Sequence, residues 1–128
     1  MPKISEHDLQ RAFCIWLDGN PHPQTGIPRA QVMLAPGVVY WHTPNGGHRD
    51  RFEAYRLKEI GVKAGIHDLL FLARERLFGV EWKAPGGVLS PVQRDMHSRL
   101  IAAGMTASIV VNNLADARIF CRQHLLTV

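Results

Sequence analysis

Residues 68–84 read DLLFLARERLFGVEWKA, and the fold turns on how this stretch pairs with itself. Two runs rich in apolar and aromatic residues, 68–75 and 76–84, meet at Arg74 and Glu75, so a hairpin is the simplest arrangement. Centring the turn between those residues sets the register: Asp68 faces Glu81, Leu70 faces Gly79 and Leu72 faces Leu77, with opposed Cβ atoms about 5 Å apart. Side chains of a strand alternate, so Lys83 joins Asp68 and Glu81 on one face. Two acids and a base on a strand of core texture need a chemical reason.

The flanking sequence supplies the remaining elements. Ser5 and Asp8 form a capping-box signature, and Leu9, Phe13, Trp16 and Leu17 follow at helical spacing, which predicts a helix over 5–18. The Pro- and Gly-rich residues 19–30 stop it, and VVYWHT (38–43) reads as a strand ending at PNGG. Ser90 as N-cap, Pro91 at N1 and Gln93 at N3 open a second helix, whose expected apolar stripe is Val92, Met96, Leu100 and Ala103, ending at Gly104. TASIVV (106–111) is a strand and residues 113–126 a closing helix. The order α, β, β, β, α, β, α, with a strand following a helical crossover, predicts an α/β fold with a mixed sheet flanked by helices.

At 128 residues the chain fits one domain, 1–128, able to bury roughly two-thirds of the surface its unfolded form exposes. No apolar run approaches the roughly 20 residues of a membrane helix, and the N-terminus lacks a signal-peptide core, so an intracellular, cytoplasmic protein is expected. Cys14 and Cys121 stand far apart with no CxxC partner, which argues against a disulfide framework or a zinc site. A formal charge of +4 and a pI near 9.5 favour a polyanionic partner. Much of that charge lies in residues 46–65, where Arg49, Arg51, Arg56, Lys58 and Lys63 also fit a solvated loop and helix face.

Asp68 and Glu81 fall at a separation that one hard divalent cation can bridge, and Mg²⁺ typically takes one or two carboxylates with waters and a phosphate oxygen. Lys83 could orient or deprotonate a water, or neutralise charge on a phosphorane-like transition state. Glu6 falls in the arc of Leu9, Phe13 and Leu17, and Gln93 in that of Met96 and Leu100, so both are expected to turn toward the sheet. Each has a plainer role as well: Glu6 favours the helix dipole, Gln93 completes a capping box, Asp68 is a turn residue, and Glu81 with Lys83 is a surface ion pair. Their ordered combination favours a site.

The set Glu6, GIHD ending in Asp68, EWK at 81–83 and SPVQ ending in Gln93 resembles the PD-(D/E)XK nuclease superfamily. Within it, WHTPNGGHR, GVKAG and EWKAPGGVLSPVQ make the chain similar, over nearly its whole length, to a stand-alone virus-type replication-repair nuclease (VRR-NUC) domain. The resemblance implies a restriction-endonuclease-like αβββαβ core plus a C-terminal helix. It implies Mg²⁺ or Mn²⁺ held by Asp68, Glu81 and the Trp82 carbonyl, with Lys83 assisting catalysis and Glu6 and Gln93 completing the site through metal-bound water. It also implies hydrolysis of DNA phosphodiesters, with small stand-alone members resembling homodimers that resolve four-way junctions. His67 departs from the pattern, standing where the superfamily name has Pro.

Asn45, His48, Arg49, Arg51 and Lys63 are the candidate DNA contacts; His42 and His48 line the expected groove, and Gly46 and Gly47 would let backbone approach a phosphate. A zinc or H-N-H arrangement of His22, His42, His48 and His67 lacks partners at ligand spacing. The expected activity is therefore a metal-dependent, structure-selective DNA endonuclease acting on branched DNA. A sequence-specific restriction-type enzyme and a catalytically silent DNA-binding subunit are the alternatives. Residues 19–37, with Ile27, Val32, Met33 and Leu34, either pack on a homodimer partner or fold back as a surface loop.

Overall fold

The computed structural model describes residues 4–44 and 51–128. In chain order the elements are α1 (Glu6–Asp18), β1 (Val39–His42), α2 (Arg51–Glu59), β2 (Leu69–Ala73), β3 (Arg76–Trp82), α3 (Pro91–Ala103), β4 (Ala107–Val111) and α4 (Leu114–Gln123). The sheet has four strands in the order β1-β2-β3-β4, antiparallel from β1 to β3 and parallel between β3 and β4. Parallel pairing needs a crossover, and α3 provides it. This is the mixed, helix-flanked α/β architecture the sequence predicts. It has one addition: α2, in the basic stretch, buries none of its side chains and so gave no apolar stripe to read.

The hairpin has the register set by its turn, with Leu70 opposite Gly79 and Leu72 opposite Leu77. Its ladder ends at Leu69 opposite Val80, so Asp68 and Glu81 occupy the next step. Arg74 and Glu75 both take positive φ, 51° and 64°, the geometry of a two-residue turn that usually selects Asn or Gly. Arg74 holds this turn down, its guanidinium donating to the His124 carbonyl at 2.6 Å and the Leu125 carbonyl at 3.4 Å.

One face of the sheet is dry. Phe78, Val80 and Trp82 of β3, with Leu69 and Phe71 of β2, pack beneath Leu9, Phe13 and Leu17 of α1 and Ala117, Phe120 and Cys121 of α4. Phe13 meets Trp82 edge-on at 5.3 Å between ring centroids. Removing each such side chain from water stabilises the fold by about 1.5–3 kcal/mol, which anchors α1 to β3. Ser5 and Ser90 form the two predicted capping boxes, fixing where α1 and α3 begin.

The other face lies under α3, and here one expectation is corrected. Val92 is 55% exposed and Ala103 is also on the outside, while the buried side chain of α3 is His97. The inward face is Gln93, Met96, His97 and Leu100, and its two polar members, Gln93 and His97, lie over Glu81.

Residues 19–37 fold back in part on their own chain. The Met33 and Leu34 amides donate to the Leu17 carbonyl at 3.2 and 3.1 Å, and Leu34 packs against the core, whereas Ile27 and Val32 stay exposed. Cys14 and Cys121 are free thiols. Among the described residues no helix is long and apolar enough to cross a membrane.

Candidate active site

The polar face converges at one end of the β2–β3 hairpin. Glu81 is 2% exposed although it carries a carboxylate. Asp68, one step beyond β2, is only half-buried, and its Oδ2 accepts the Trp82 amide at 2.8 Å, which fixes the carboxylate beside Glu81. Lys83 Nζ lies 3.9 Å from Glu81 Oε2, and Gln93 Nε2 donates to the same oxygen at 3.4 Å. Glu6 is exposed, so its side chain does not enter the core; it reaches across the end of the sheet, where Oε1 accepts the Ala84 amide at 3.3 Å. Five of the residues singled out from the sequence therefore meet at one place, brought from α1, the β2–β3 hairpin and α3.

Burial first, and then the Asp68 carboxylate, push the Glu81 carboxyl well above the usual range, with the Lys83 ammonium opposing them. Glu81 Oε1 is buried without a hydrogen-bond partner. Two facing carboxylates, one with an orphaned oxygen, form an anionic hard-oxygen donor set, and this is what a Mg²⁺ or Mn²⁺ ion selects. Among the described residues no three His, Cys, Asp or Glu side chains are gathered at ligand spacing.

Sequence reasoning missed the support beneath Glu81. His97 Nε2 sits 4.0 Å from Glu81 Oε1, and both atoms are buried and unpartnered. The His97 ring stacks on fully buried His67 at 3.6 Å and 11° between planes. The far nitrogen of His67, Nε2, pairs with Ser108 Oγ at 2.5 Å. Burial, then His97, lowers His67 to about 4, and burial chiefly lowers His97 against a hydrogen bond to the Gly65 backbone, so both rings are neutral at pH 7. A Cβ on Gly79 would lie 2.6 Å from the His67 ring, so only glycine leaves room for the stack. His67, the departure from the superfamily pattern, thus acts as a buried platform. The signal for His97 was its i, i+4 spacing from Gln93.

The candidate DNA contacts divide. Asn45, His48 and Arg49 lie outside the described residues. Arg51 opens α2 and is exposed, and exposed Lys63 borders a hollow with Thr43, Pro44 and Ile66 near the Asp68 end of the sheet. His42 is exposed on β1, its Nδ1 within 2.8 Å of the Asp68 carbonyl. His22 lies in the 19–37 segment, its Nδ1 accepting the Gln24 amide at 3.2 Å, apart from the site.

A solved structure described as a VRR_NUC domain protein superposes on this chain with a TM-score of 0.67. The match covers 97% of this chain and 90% of that one at 22% sequence identity. No protein-family pattern matches the sequence, and no curated protein matches it either. The chain thus has the fold of a VRR_NUC domain protein, a four-stranded mixed sheet flanked by four helices, with its polar cluster at one end of the sheet.

Proposed function

We propose that this protein is a divalent-cation-dependent DNA endonuclease that hydrolyses phosphodiesters in branched DNA. The observation that carries the reading is the buried Glu81 carboxylate, one of its oxygens without a partner, placed against Asp68 with Lys83 beside it on a sheet face otherwise held by neutral groups. A Mg²⁺ or Mn²⁺ ion held by Asp68, Glu81 and the Trp82 carbonyl would supply Lewis-acid activation of a phosphate oxygen and a water. Lys83 neutralises charge developing on the phosphoryl group or takes the proton of the attacking water. Gln93 holds Glu81 in place, and Glu6 orients water at the opposite rim. Arg51, Lys63 and the candidates at 45, 48 and 49 contact phosphates, which fixes register on the duplex without reading its sequence.

Resolution of a four-way junction needs two incisions related by two-fold symmetry, so the reading includes an isologous homodimer that presents two such sites. The deciding experiment incubates purified protein with Mg²⁺ or Mn²⁺ and linear duplex, single-stranded, flap and four-way DNA, with light scattering in parallel. Cation-dependent cutting of junctions by a dimer is expected. A monomer that cuts linear duplex as readily as junctions would leave a general nuclease, and no cutting under any condition would remove the enzymatic reading.

A further inference from the structure

Beside the carboxylates a groove of about 500 Å³ opens, with Glu6 and Asp68 at one end. One wall is a helical stripe of α1 made by His7, Gln10, Arg11 and Cys14, at i, i+3, i+4 and i+7. The opposite wall is His42 and Pro44. His7, Gln10, Arg11 and Cys14 have no part in the site described above, and Arg11 enters none of the ion pairs among the described residues. The walls differ in chemistry: α1 offers the Arg11 guanidinium, the Gln10 amide and the His7 imidazole, whereas the facing wall offers the flat His42 ring and the apolar Pro44. His42 is held in that wall by its contact with the Asp68 carbonyl, 2.8 Å away.

We infer that this groove receives one unpaired nucleotide of the substrate strand, adjoining the phosphate that is cut, with its own phosphate on Arg11 and its base or sugar against His42 and Pro44. The inference rests on the nuclease reading and narrows its substrate class. The volume lies within the about 300–1,000 Å³ of small-ligand sites, enough for one nucleotide and its water. A guanidinium presents a planar fork suited to a phosphate, and stacking on the His42 ring, with Pro44 as apolar contact beside it, is indifferent to base identity. Discrimination for branched DNA then has a local cause: only a strand that can release a nucleotide beside the cut fills the groove.

The test compares two junction-derived duplexes that share one cut site, one fully paired and one with an unpaired nucleotide flanking the cut, under Mn²⁺. Wild type is expected to prefer the unpaired substrate. Arg11→Ala should raise KM for it roughly tenfold, change kcat little, and lower the slope of binding against salt by about one, as loss of one phosphate contact requires. Arg99→Ala, which removes one positive charge from the outer face of α3, should leave both substrates unaffected. Arg11→Lys should restore much of the salt slope but less of the KM, because a point charge lacks the fork. If wild type cuts and Arg11→Ala keeps its KM, salt slope and preference, the groove assignment is wrong while the nuclease reading stands. If wild type cuts neither substrate, the nuclease reading fails; binding of the two by fluorescence anisotropy then still shows whether Arg11 distinguishes them, and equal binding by wild type and Arg11→Ala overturns the groove as well.

Discussion

The two faces of β3 are built to opposite rules. On one side Phe78, Val80 and Trp82 enter a dry core closed by α1 and α4; on the other, Gly79 and Glu81 lie under Gln93 and His97 of α3. Alternation of strand side chains makes this possible within seven residues, so Val80 and Trp82, which rigidify the strand, flank Glu81, which carries the carboxylate. The dry face holds the backbone still, and the polar face can then keep a carboxylate buried with an oxygen unpartnered. The cost of that unpartnered oxygen is carried by hydrophobic packing on the reverse side of the same strand.

If the faces divide the labour in this way, variants should separate stability from activity. The largest effect belongs to the polar face: Asp68→Ala and Glu81→Ala each remove an anionic oxygen donor, and single-turnover cleavage should fall by roughly a thousandfold or more, with cation binding lost in calorimetry. Lys83→Ala should retain the cation while turnover drops about a hundredfold. A lysine variant that loses the cation as fully as the aspartate variant would merge roles that the geometry keeps apart.

On the dry face, Phe13→Ala leaves a cavity against Trp82 and should cost about 3–5 kcal/mol in denaturant unfolding, while any protein still folded keeps its cation affinity. Between the faces, His97→Phe retains a flat ring on His67 but removes the nitrogen facing Glu81. It should cost less than about 1.5 kcal/mol of stability and yet lower cleavage about tenfold, since groups that orient a ligand carboxylate matter more to the site than to the fold. Equal loss of stability in His97→Phe and Phe13→Ala would erase the distinction.

The smallest effect is a pH slope. Glu81 titrates above its ordinary value of 4.5 in the folded chain, so between that value and the folded one the native state binds more protons than the unfolded state. Stability from this group is complete below pH 4.5 and is lost as the pH rises through the elevated native value. Thermal unfolding of the metal-free protein should therefore weaken across that rise, Glu81→Gln should flatten the slope, and saturating Mg²⁺ should flatten it in the wild type. A wild-type slope that survives in Glu81→Gln would assign it to another group.

Local chemistry wrote much of this molecule into its sequence. The hairpin register followed from a two-residue turn, the starts of α1 and α3 from Ser5 and Ser90, and the nearness of Asp68 to Glu81 from pairing alone, because each depends on residues close in the chain. Tertiary structure decided what lies across the sheet. The apolar period of α3 pointed to Val92 and Ala103, yet the helix turns His97 inward, because its partner surface is Glu81, His67 and Gly79 rather than a hydrophobic layer. Periodicity reports which side chains avoid water when the facing surface is apolar; it is silent where that surface is charged. Glu6 is expected from its arc on α1 to turn toward the sheet; that it does so by reaching around the end of the sheet to the Ala84 amide is fixed by how α1 seats on Trp82 and not by any property of its own helix.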